Sequence, residues 1–406
     1  MRFRNLIFLL ILAISAAGCG GGGRSGPTTP DQKTHYAWTV LLYIDGRNDL
    51  APYAIKNLNQ MESAGSTSQV ALVTQIAHSS GYDSTQWDGV RRYLITKDSD
   101  QNKIGSTLLA DLGSNVDMAS PQTLSSFISW GVSQYPADHY MLVLWDHGSG
   151  WKTLTMHSRR GVKSIFYDQQ SGNQMDLAEL TQALQGSPKF DLVMFDACLM
   201  SMIEVGTAVK DSANLMVSSE DNIPGDGQRY NEVIPQLVNN PGMTAKTLGT
   251  AFVDQYINIY STTYGGTIEM ALIDLNSLGQ LSSDADQLST AVIDNLSSVK
   301  SEVEAAQSSA QHFDWVYGDY ADYKDLYDFA RILSASNTTA VKSAAQTVMS
   351  SVSSTVLYER HNGAQVANAH GISVYLPNPG ANDWLTRYQS LQFAHDTHWA
   401  QMIAQY

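Results

Sequence analysis

The stretch FDLVMFDACLMSM, residues 190–202, decides the fold. Its apolar run, residues 192–195, is typical of a central strand buried on both faces. The residues after Cys198 have helical character, which predicts that Cys198 lies between the carboxyl end of a strand and a helix N-terminus. Ligands bind at that edge of open α/β sheets, and a helix dipole there favours a thiolate.

A second apolar run, residues 140–145, ends at Asp146 and His147 and is followed by Gly-Ser-Gly. His147 precedes Cys198 by about 50 residues, a separation typical of caspase-type cysteine proteases. Two strands that end at one sheet edge can bring a Cys/His dyad together, in which the imidazole takes the thiol proton. Spacing alone leaves open the alternative of two unrelated strand-end residues.

Gly148 follows His147 directly and lets a substrate approach the backbone closely. Its N–H and that of Cys198 are the predicted oxyanion hole, which would stabilise the tetrahedral intermediate.

Strands and helices alternate along the rest of the chain. The predicted strands are residues 38–44, 70–76, 164–167, 214–219 and 267–275, and the predicted helices are residues 121–130, 176–184 and 243–260. Asn48 and Asp49 are predicted to cap a helix through Met61. The alternation indicates an α/β sheet with helices on both faces.

Residues 276–359 have a helical pattern, and a strand at 371–377 and a C-terminal helix through Trp399 are predicted to follow. We therefore expect one domain over residues 36–406, with residues 276–360 as a helical insertion or subdomain. No repeat at a fixed period is present.

The N-terminus is typical of an exported protein. Arg2 and Arg4 precede an apolar run, residues 6–17, that is too short to span a membrane. The small residues before Cys19 resemble a bacterial lipoprotein cleavage box, although Ala16 stands where leucine is usual. We expect a lipoprotein-type signal peptide at residues 1–19 and a flexible tether at 20–35. The protein would be lipid-anchored to the cell envelope through Cys19, or secreted if an ordinary signal is cut nearby.

The 406-residue chain has a net charge of −15, which argues against non-specific nucleic-acid binding. It has two cysteines, so lipidation of Cys19 would leave Cys198 as the sole thiol. A thiol outside the cytosol is an oxidation liability, which favours a functional Cys198 over an inert core residue.

The motifs WDHGSGW (145–151) and FDACLM (195–200) resemble those of the clostripain family of cysteine peptidases. Supporting similarities occur at residues 43–45, 48–50, 219–220, 224–227, 325–329 and 371–375. The resemblance implies a caspase-like, mostly parallel sheet, with His147 as general base and Cys198 as nucleophile. No cofactor is expected to be required.

The resemblance also implies cleavage after Arg or Lys in protein or peptide substrates. The family's pocket aspartate, two residues before the nucleophile, corresponds to Asp196. Residues i and i+2 of a strand face the same side, and a carboxylate pairs well with a basic side chain. However, an acid there would raise the pKa of the Cys198 thiol unless it is neutralised. Asp226 is a second pocket candidate, or a turn residue between two glycines.

Family members are often activated by a cut between the histidine and the cysteine. Arg159, Arg160 and Lys163 lie in that interval. Self-cleavage after one of them would release a loop that blocks the cleft, whereas the alternative is three solvated charges.

Metal sites are weakly supported. His395 and His398 are three residues apart on a predicted helix, but no third ligand is evident. Asp98, Asp100 and Asn102 resemble the start of a calcium loop that lacks its glycine and terminal glutamate. A hairpin turn fits them better, although calcium stays open because some family members respond to it.

The sequence therefore predicts an exported cysteine endopeptidase selective for basic residues. The alternative is a catalytically silent surface lipoprotein that uses the same fold as a protein-binding module. The intact His147, Cys198 and intervening glycines favour the enzyme. Serine hydrolase, P-loop, zinc-protease and dinucleotide-binding motifs are absent from the sequence.

Overall fold

A nine-stranded sheet forms the centre of the computed structural model, which describes residues 33–82, 87–152, 165–263, 266–313, 320–381 and 383–406. The strands in chain order are β1 (Tyr36–Gly46), β2 (Val70–His78), β3 (Gly89–Leu94), β4 (Thr107–Gly113), β5 (Ala137–Trp145), β6 (Ile165–Asp168), β7 (Asn173–Met175), β8 (Phe190–Asp196), β9 (Ala213–Ser218), β10 (Ile268–Asp274), β11 (Tyr323–Asp325), β12 (Val356–Asn362) and β13 (Ser373–Tyr375). Residues 34–406 form one compact unit.

The order across the central sheet is β12-β10-β9-β8-β5-β1-β2-β3-β4. The five middle strands, β9 to β2, pair in parallel, and two antiparallel strands extend the sheet at each side. This arrangement confirms the predicted caspase-like α/β class with its mostly parallel sheet.

Helices cover both faces of the sheet, as predicted. They are α1 (Ala51–Glu62), α2 (Pro121–Gln134), α3 (Leu177–Leu184), α4 (Ile203–Val209), α5 (Tyr230–Asn239), α6 (Ala245–Thr263), α7 (Leu278–Asp294), α8 (Leu296–Ser309), α9 (Leu326–Leu333), α10 (Thr339–Thr355), α11 (Leu385–Tyr388), α12 (Gln392–Asp396) and α13 (Trp399–Gln405). Helices α1, α5 and α6 pack on one face, and α2, α3, α4 and α7 to α10 pack on the other.

Strand β1 illustrates why the middle strands are mostly apolar. Leu41 and Tyr43 belong to one core, whereas Val40, Leu42 and Ile44 belong to the core on the opposite face. A strand with helices on both sides is apolar at most positions, because neither face meets water.

The helical pattern predicted for residues 276–359 is interrupted by strands. It holds α7 to α10, but β11 lies within it and β12 begins at Val356. Strand β12 (VLYERHN) is half-buried at the sheet edge and pairs antiparallel with β10, so its mixed polar sequence lacks the signature of a buried strand. That residues 276–360 form a separate insertion or subdomain remains a prediction.

The C-terminal region also differs from its prediction. The strand expected at residues 371–377 is the shorter β13, which pairs with β11 in a separate two-stranded sheet. The single helix expected through Trp399 is divided into α11, α12 and α13. Within the part of the chain that the structure describes, no helix combines the length and apolarity needed to cross a membrane.

Candidate active site

His147 and Cys198 follow two neighbouring parallel strands at the same edge of the sheet. Trp145 of β5 pairs with Asp196 of β8, and the Asp146 N–H donates to the Asp196 carbonyl at 3.4 Å. The two loops that carry the predicted dyad therefore leave the sheet side by side.

Gly148 brings these two loops into backbone contact. A Cβ atom at this position would overlap the carbonyl oxygen of Cys198 and would lie 2.8 Å from its amide nitrogen. Only glycine allows this approach, because any side chain would push the loops apart. The structure thus places the two predicted oxyanion-hole residues next to each other.

Cys198 is partly buried, and its sulfur faces the loop that follows β9. The Ile223 N–H lies 3.2 Å from Sγ, and the Ile223 carbonyl lies 3.7 Å from it. The Cys198 sulfur therefore contacts both the backbone donor and the backbone acceptor of Ile223.

The helix N-terminus predicted beside Cys198 is not there. Helix α4 begins only at Ile203, and the intervening turn contains Leu199 with a φ of +62°. Met202 forms a bridge to Ser373, whose N–H also donates to the Ser201 carbonyl at 2.8 Å. Long-range pairing with the C-terminal region therefore replaces the first turns of the expected helix.

Asp49 binds the imidazole of His147, with 2.7 Å between its Oδ1 and His147 Nε2. The predicted capping role of Asp49 is wrong, because Leu50 occupies the N-cap of α1 and no side chain caps that helix. His147 is buried, whereas the Asp49 side chain is 71% exposed. Because Asp49 contacts Nε2, a base role for His147 would use its other ring nitrogen, Nδ1.

Sequence reasoning missed Asp49 as a partner of His147. The available signal was its place directly after β1, because β1 is the sheet neighbour of β5. Polar residues between a strand and a helix also fit a capping role, so the local sequence alone does not indicate the contact of Asp49 with His147.

Buried acids support the histidine loop. Asp146 accepts hydrogen bonds from the Asn48 side-chain amide at 2.7 Å and from the Tyr167 N–H at 2.6 Å. The Arg47 guanidinium lies 3.2 Å from Asp168. We call Asp45, Asp146 and Asp168, together with Arg47, the histidine-side cluster.

Burial, with some charge repulsion, favours the protonated forms of Asp45 and Asp146. Burial, reinforced by the Asp168 charge, raises the pKa of Asp45 to about 8. Burial and the Asp45 charge raise the pKa of Asp146 well above its ordinary range. Arg47 provides a cation within the cluster, and its guanidinium also donates to the carbonyl of Val116 at 2.8 Å.

A second group of acids lies behind the cysteine loop. Glu269 accepts hydrogen bonds from the Glu220 N–H at 2.6 Å and from the Ser219 hydroxyl at 3.2 Å. Glu220 accepts from the Gly371 N–H at 2.8 Å. We call Glu220, Glu269 and Asp325 the cysteine-side cluster; burial and mutual repulsion raise the pKa of Glu220 above its ordinary range.

Asp196 is a buried carboxylate with one unsatisfied oxygen. Its Oδ2 accepts hydrogen bonds from the Gln228 N–H at 3.0 Å and from the Tyr230 hydroxyl at 2.8 Å. Its Oδ1 is buried and has no hydrogen-bond partner among the described residues. Burial raises the pKa of Asp196 to about 6, although the two hydrogen bonds oppose this rise. A cationic side chain would supply the missing partner.

Asp226 lies in the turn between Gly225 and Gly227, where its carboxylate contacts Lys56 at 2.6 Å. Its carbonyl accepts a hydrogen bond from the Asn57 side chain at 3.0 Å. The structure thus pairs Asp226 with a lysine of α1, and its place in the pocket stays a prediction.

No group of three or more His, Cys, Asp or Glu side chains in the described ranges could hold a metal ion. His395 contacts Asp396, and His398 contacts Asp286. Asp98 accepts hydrogen bonds from the N–H groups of Ser99 and Asp100 within the loop between β3 and β4. These contacts agree with the hairpin-turn interpretation.

Cys19, Arg159, Arg160 and Lys163 lie outside the described residues. Lys152 is the last described residue before the predicted processing segment. Its ammonium is buried against Asp322. Four aromatic rings surround it at 5.2 to 5.6 Å, those of Tyr320, Tyr323, Tyr375 and Trp384.

Comparison with known proteins identifies the family. The model of the clostripain family of C11 peptidases matches residues 42–406. The chain belongs to the clostripain family. It is 23% identical over 418 residues to clostripain from Hathewaya histolytica, covering 88% of this chain and 78% of that relative. This clostripain-family protein is therefore a cysteine peptidase.

Solved C11 structures share the fold of this clostripain-family peptidase. An inactive zymogen C11 protease from Parabacteroides distasonis has a TM-score of 0.69 at 22% identity, covering 91% of this chain and 99% of that one. A secreted C11 cysteine protease from Bacteroides thetaiotaomicron, in complex with an irreversible peptide inhibitor, has a TM-score of 0.65 at 21% identity with the same coverage.

Proposed function

We propose that this peptidase is an exported endopeptidase that cleaves after Arg or Lys, with Cys198 as nucleophile and His147 as general base. The observation that carries the proposal is the buried carboxylate of Asp196, which has one oxygen without a hydrogen-bond partner in the part of the chain that the structure describes. Asp196 lies two residues before Cys198, next to the close contact between Gly148 and Cys198. A buried acceptor close to a nucleophile is suited to bind a cationic substrate side chain.

The reaction begins when His147 Nδ1 takes the proton of the Cys198 thiol and the thiolate attacks the scissile carbonyl carbon. The N–H groups of Gly148 and Cys198 stabilise the oxyanion that forms. His147 then donates its proton to the leaving amine, and the C–N bond breaks to leave a thioester. A water molecule, deprotonated by His147, hydrolyses the thioester and restores the thiol.

Asp49 acts in this scheme as a positioning residue. Its contact with Nε2 at 2.7 Å fixes the orientation of the ring and stabilises the imidazolium that forms after proton transfer. The carboxylate acts through His147 and does not itself take part in bond making.

The test is hydrolysis of matched fluorogenic peptides ending in Arg, Lys, Asp or Leu, under reducing conditions. We expect turnover of the Arg and Lys peptides, and a loss of about a thousandfold or more in the Cys198→Ala variant. Turnover of only Asp or Leu peptides would keep the nucleophile and reject Asp196 as the selector. Equal turnover by wild type and Cys198→Ala would reject the dyad.

Self-activation by cleavage near Arg159, Arg160 or Lys163 is part of the proposal. Its basis is the presence of three basic residues between the strands that carry the dyad. Replacing all three with alanine should leave a single uncut chain, as should Cys198→Ala. Unchanged processing in this segment of the triple variant would contradict self-activation there.

Attachment through lipid on Cys19 rests on the sequence that precedes it. In bacteria that carry out lipoprotein processing, the wild type should partition into detergent and Cys19→Ala should not. If both forms appear in the medium, the protein is secreted without an anchor.

A further inference from the structure

The two carboxylate oxygens of Asp196 have unequal surroundings. Oδ2 already accepts two hydrogen bonds, one from the backbone of Gln228 and one from the hydroxyl of Tyr230, whereas Oδ1 is buried with no partner among the described residues. A carboxylate oxygen with two donors has little capacity for a third. A substrate cation would therefore meet one available oxygen.

This asymmetry distinguishes the two basic side chains. Arginine binds carboxylates best through two parallel N–H groups, one to each oxygen, and it gains geometric specificity from that fork. The lysine ammonium is a point charge that needs one acceptor here and directs its remaining donors elsewhere. A carboxylate with only one oxygen that lacks hydrogen-bond donors removes the advantage that arginine otherwise has.

We propose that Tyr230 is a specificity-determining residue: its hydroxyl occupies the Asp196 oxygen that a guanidinium would need as its second acceptor, and so makes lysine at least comparable to arginine. The inference rests on the proposed role of Asp196 in substrate binding. It goes further by assigning the balance between the two substrates to a residue outside the dyad.

The surroundings of Tyr230 hold its hydroxyl in place. Tyr230 is the first residue of α5, is fully buried, and packs its ring edge-on against Phe252 at 6.3 Å. Burial and the nearby Asp196 charge raise the pKa of the Tyr230 phenol well above its ordinary value. The group therefore remains a neutral donor at working pH.

Tyr230→Phe isolates this hydroxyl. The variant keeps the ring and removes one of the two donors to Oδ2, while the Gln228 N–H remains. Loss of the donor would also raise the pKa of Asp196, but this effect lowers activity toward both substrates. The ratio of kcat/KM for Arg and Lys peptides separates selectivity from that common loss.

The experiment compares kcat/KM for two peptides that differ only in a terminal Arg or Lys. In the wild type we expect the Lys value to equal or exceed the Arg value. In Tyr230→Phe the Arg-to-Lys ratio should rise about tenfold, the worth of one hydrogen bond to a charged group. Tyr256→Phe is the matched control, because Tyr256 is buried beside Tyr260 and makes no hydrogen bond to Asp196; its ratio should not change.

Three results would overturn the inference: a wild-type preference for Arg of a hundredfold or more, a ratio unchanged in Tyr230→Phe, or an equal change in Tyr256→Phe. The wild-type comparison decides the matter even if Tyr230→Phe fails to fold. If the wild type cleaves neither basic peptide but cleaves others, the proposed function itself fails and the role of Tyr230 falls with it.

Discussion

The surroundings of His147 and Cys198 differ in how far along the chain their contacts reach. The histidine-side cluster is built from residues around β1, β5 and β6, all within the first half of the chain. The cysteine-side cluster and the adjoining turn depend on Gly371 and Ser373, which follow Glu220 and Ser201 by 151 and 172 residues. The acids that support the His147 loop thus come from neighbouring strands, whereas those behind Cys198 depend partly on the C-terminal region.

We expect the largest loss of activity from a substitution at Gly148, where the His147 and Cys198 loops touch. Gly148→Ala places a Cβ against the backbone of Cys198, so the loops must separate and the proposed oxyanion hole would be lost. We expect kcat/KM to fall about a thousandfold. Gly279→Ala is the control, because a Cβ there meets nothing within 4 Å and α7 should tolerate it. Activity within tenfold of wild type in Gly148→Ala would contradict the close approach.

We expect the second-largest loss of activity from substitution of Asp49, the partner of His147. Asp49→Ala should lower kcat about a hundredfold and leave KM nearly unchanged, because His147 loses the partner that orients it. Asp49→Asn keeps an acceptor and should retain more activity. The melting temperature should stay constant, since 71% of the Asp49 side chain is exposed. A change in KM with constant kcat would assign Asp49 to substrate binding instead.

The cysteine side should respond through stability and pH. Burial raises the pKa of Glu220 in the folded protein well above its ordinary value of 4.5. Between these two pKa values, the folded protein keeps the proton on Glu220 and the unfolded chain has lost it. Unfolding then releases a proton, so the free energy of unfolding falls as pH rises from that value through the folded pKa.

Glu220→Gln removes this titration and keeps an oxygen to accept the Gly371 N–H. At pH 8 the variant should be more stable than wild type by about 1 kcal/mol, and the difference should shrink toward pH 5. Chemical denaturation across that range measures it. Glu304→Gln, in an exposed pair with Lys300, is the control. A stability difference that grows toward acidic pH would contradict this prediction.

The smallest effect is expected at the Asp226–Lys56 pair. Because exposed ion pairs contribute little, Asp226→Asn should change the free energy of unfolding by less than about 0.5 kcal/mol and KM for basic peptides by less than about threefold. Asp111→Asn, in an exposed pair with Arg91, is the matched control. A KM increase of more than tenfold would place Asp226 in direct contact with substrate.

The sequence predicted features that depend on neighbouring strands. Apolar runs ending in His147 and Cys198 located both loops, because parallel strands place their carboxyl ends at one edge. The helix predicted at residues 176–184 is α3, which Asp176 caps through a capping box with Glu179. Such features are visible because periodicity and capping act over a few residues.

Features that depend on distant pairing were missed. The helix expected directly after Cys198 is displaced by the bridge between Met202 and Ser373, which no local pattern encodes. The local sequence around Asp49 favours a cap, whereas its partner His147 is 98 residues away, and the unequal oxygens of Asp196 depend on Tyr230. Such contacts become visible only when the order of the strands is known.

The enclosure of Lys152 has a consequence if the enzyme has the proposed selectivity for basic residues. Such an enzyme meets its own chain at higher local concentration than any other substrate. A lysine can enter a specificity pocket only if its side chain extends away from the chain, and Lys152 is held by Asp322 and four aromatic rings. With the proposed specificity, this enclosure would protect the bond after Lys152 from self-cleavage, and the strand that carries His147 would stay joined to its loop.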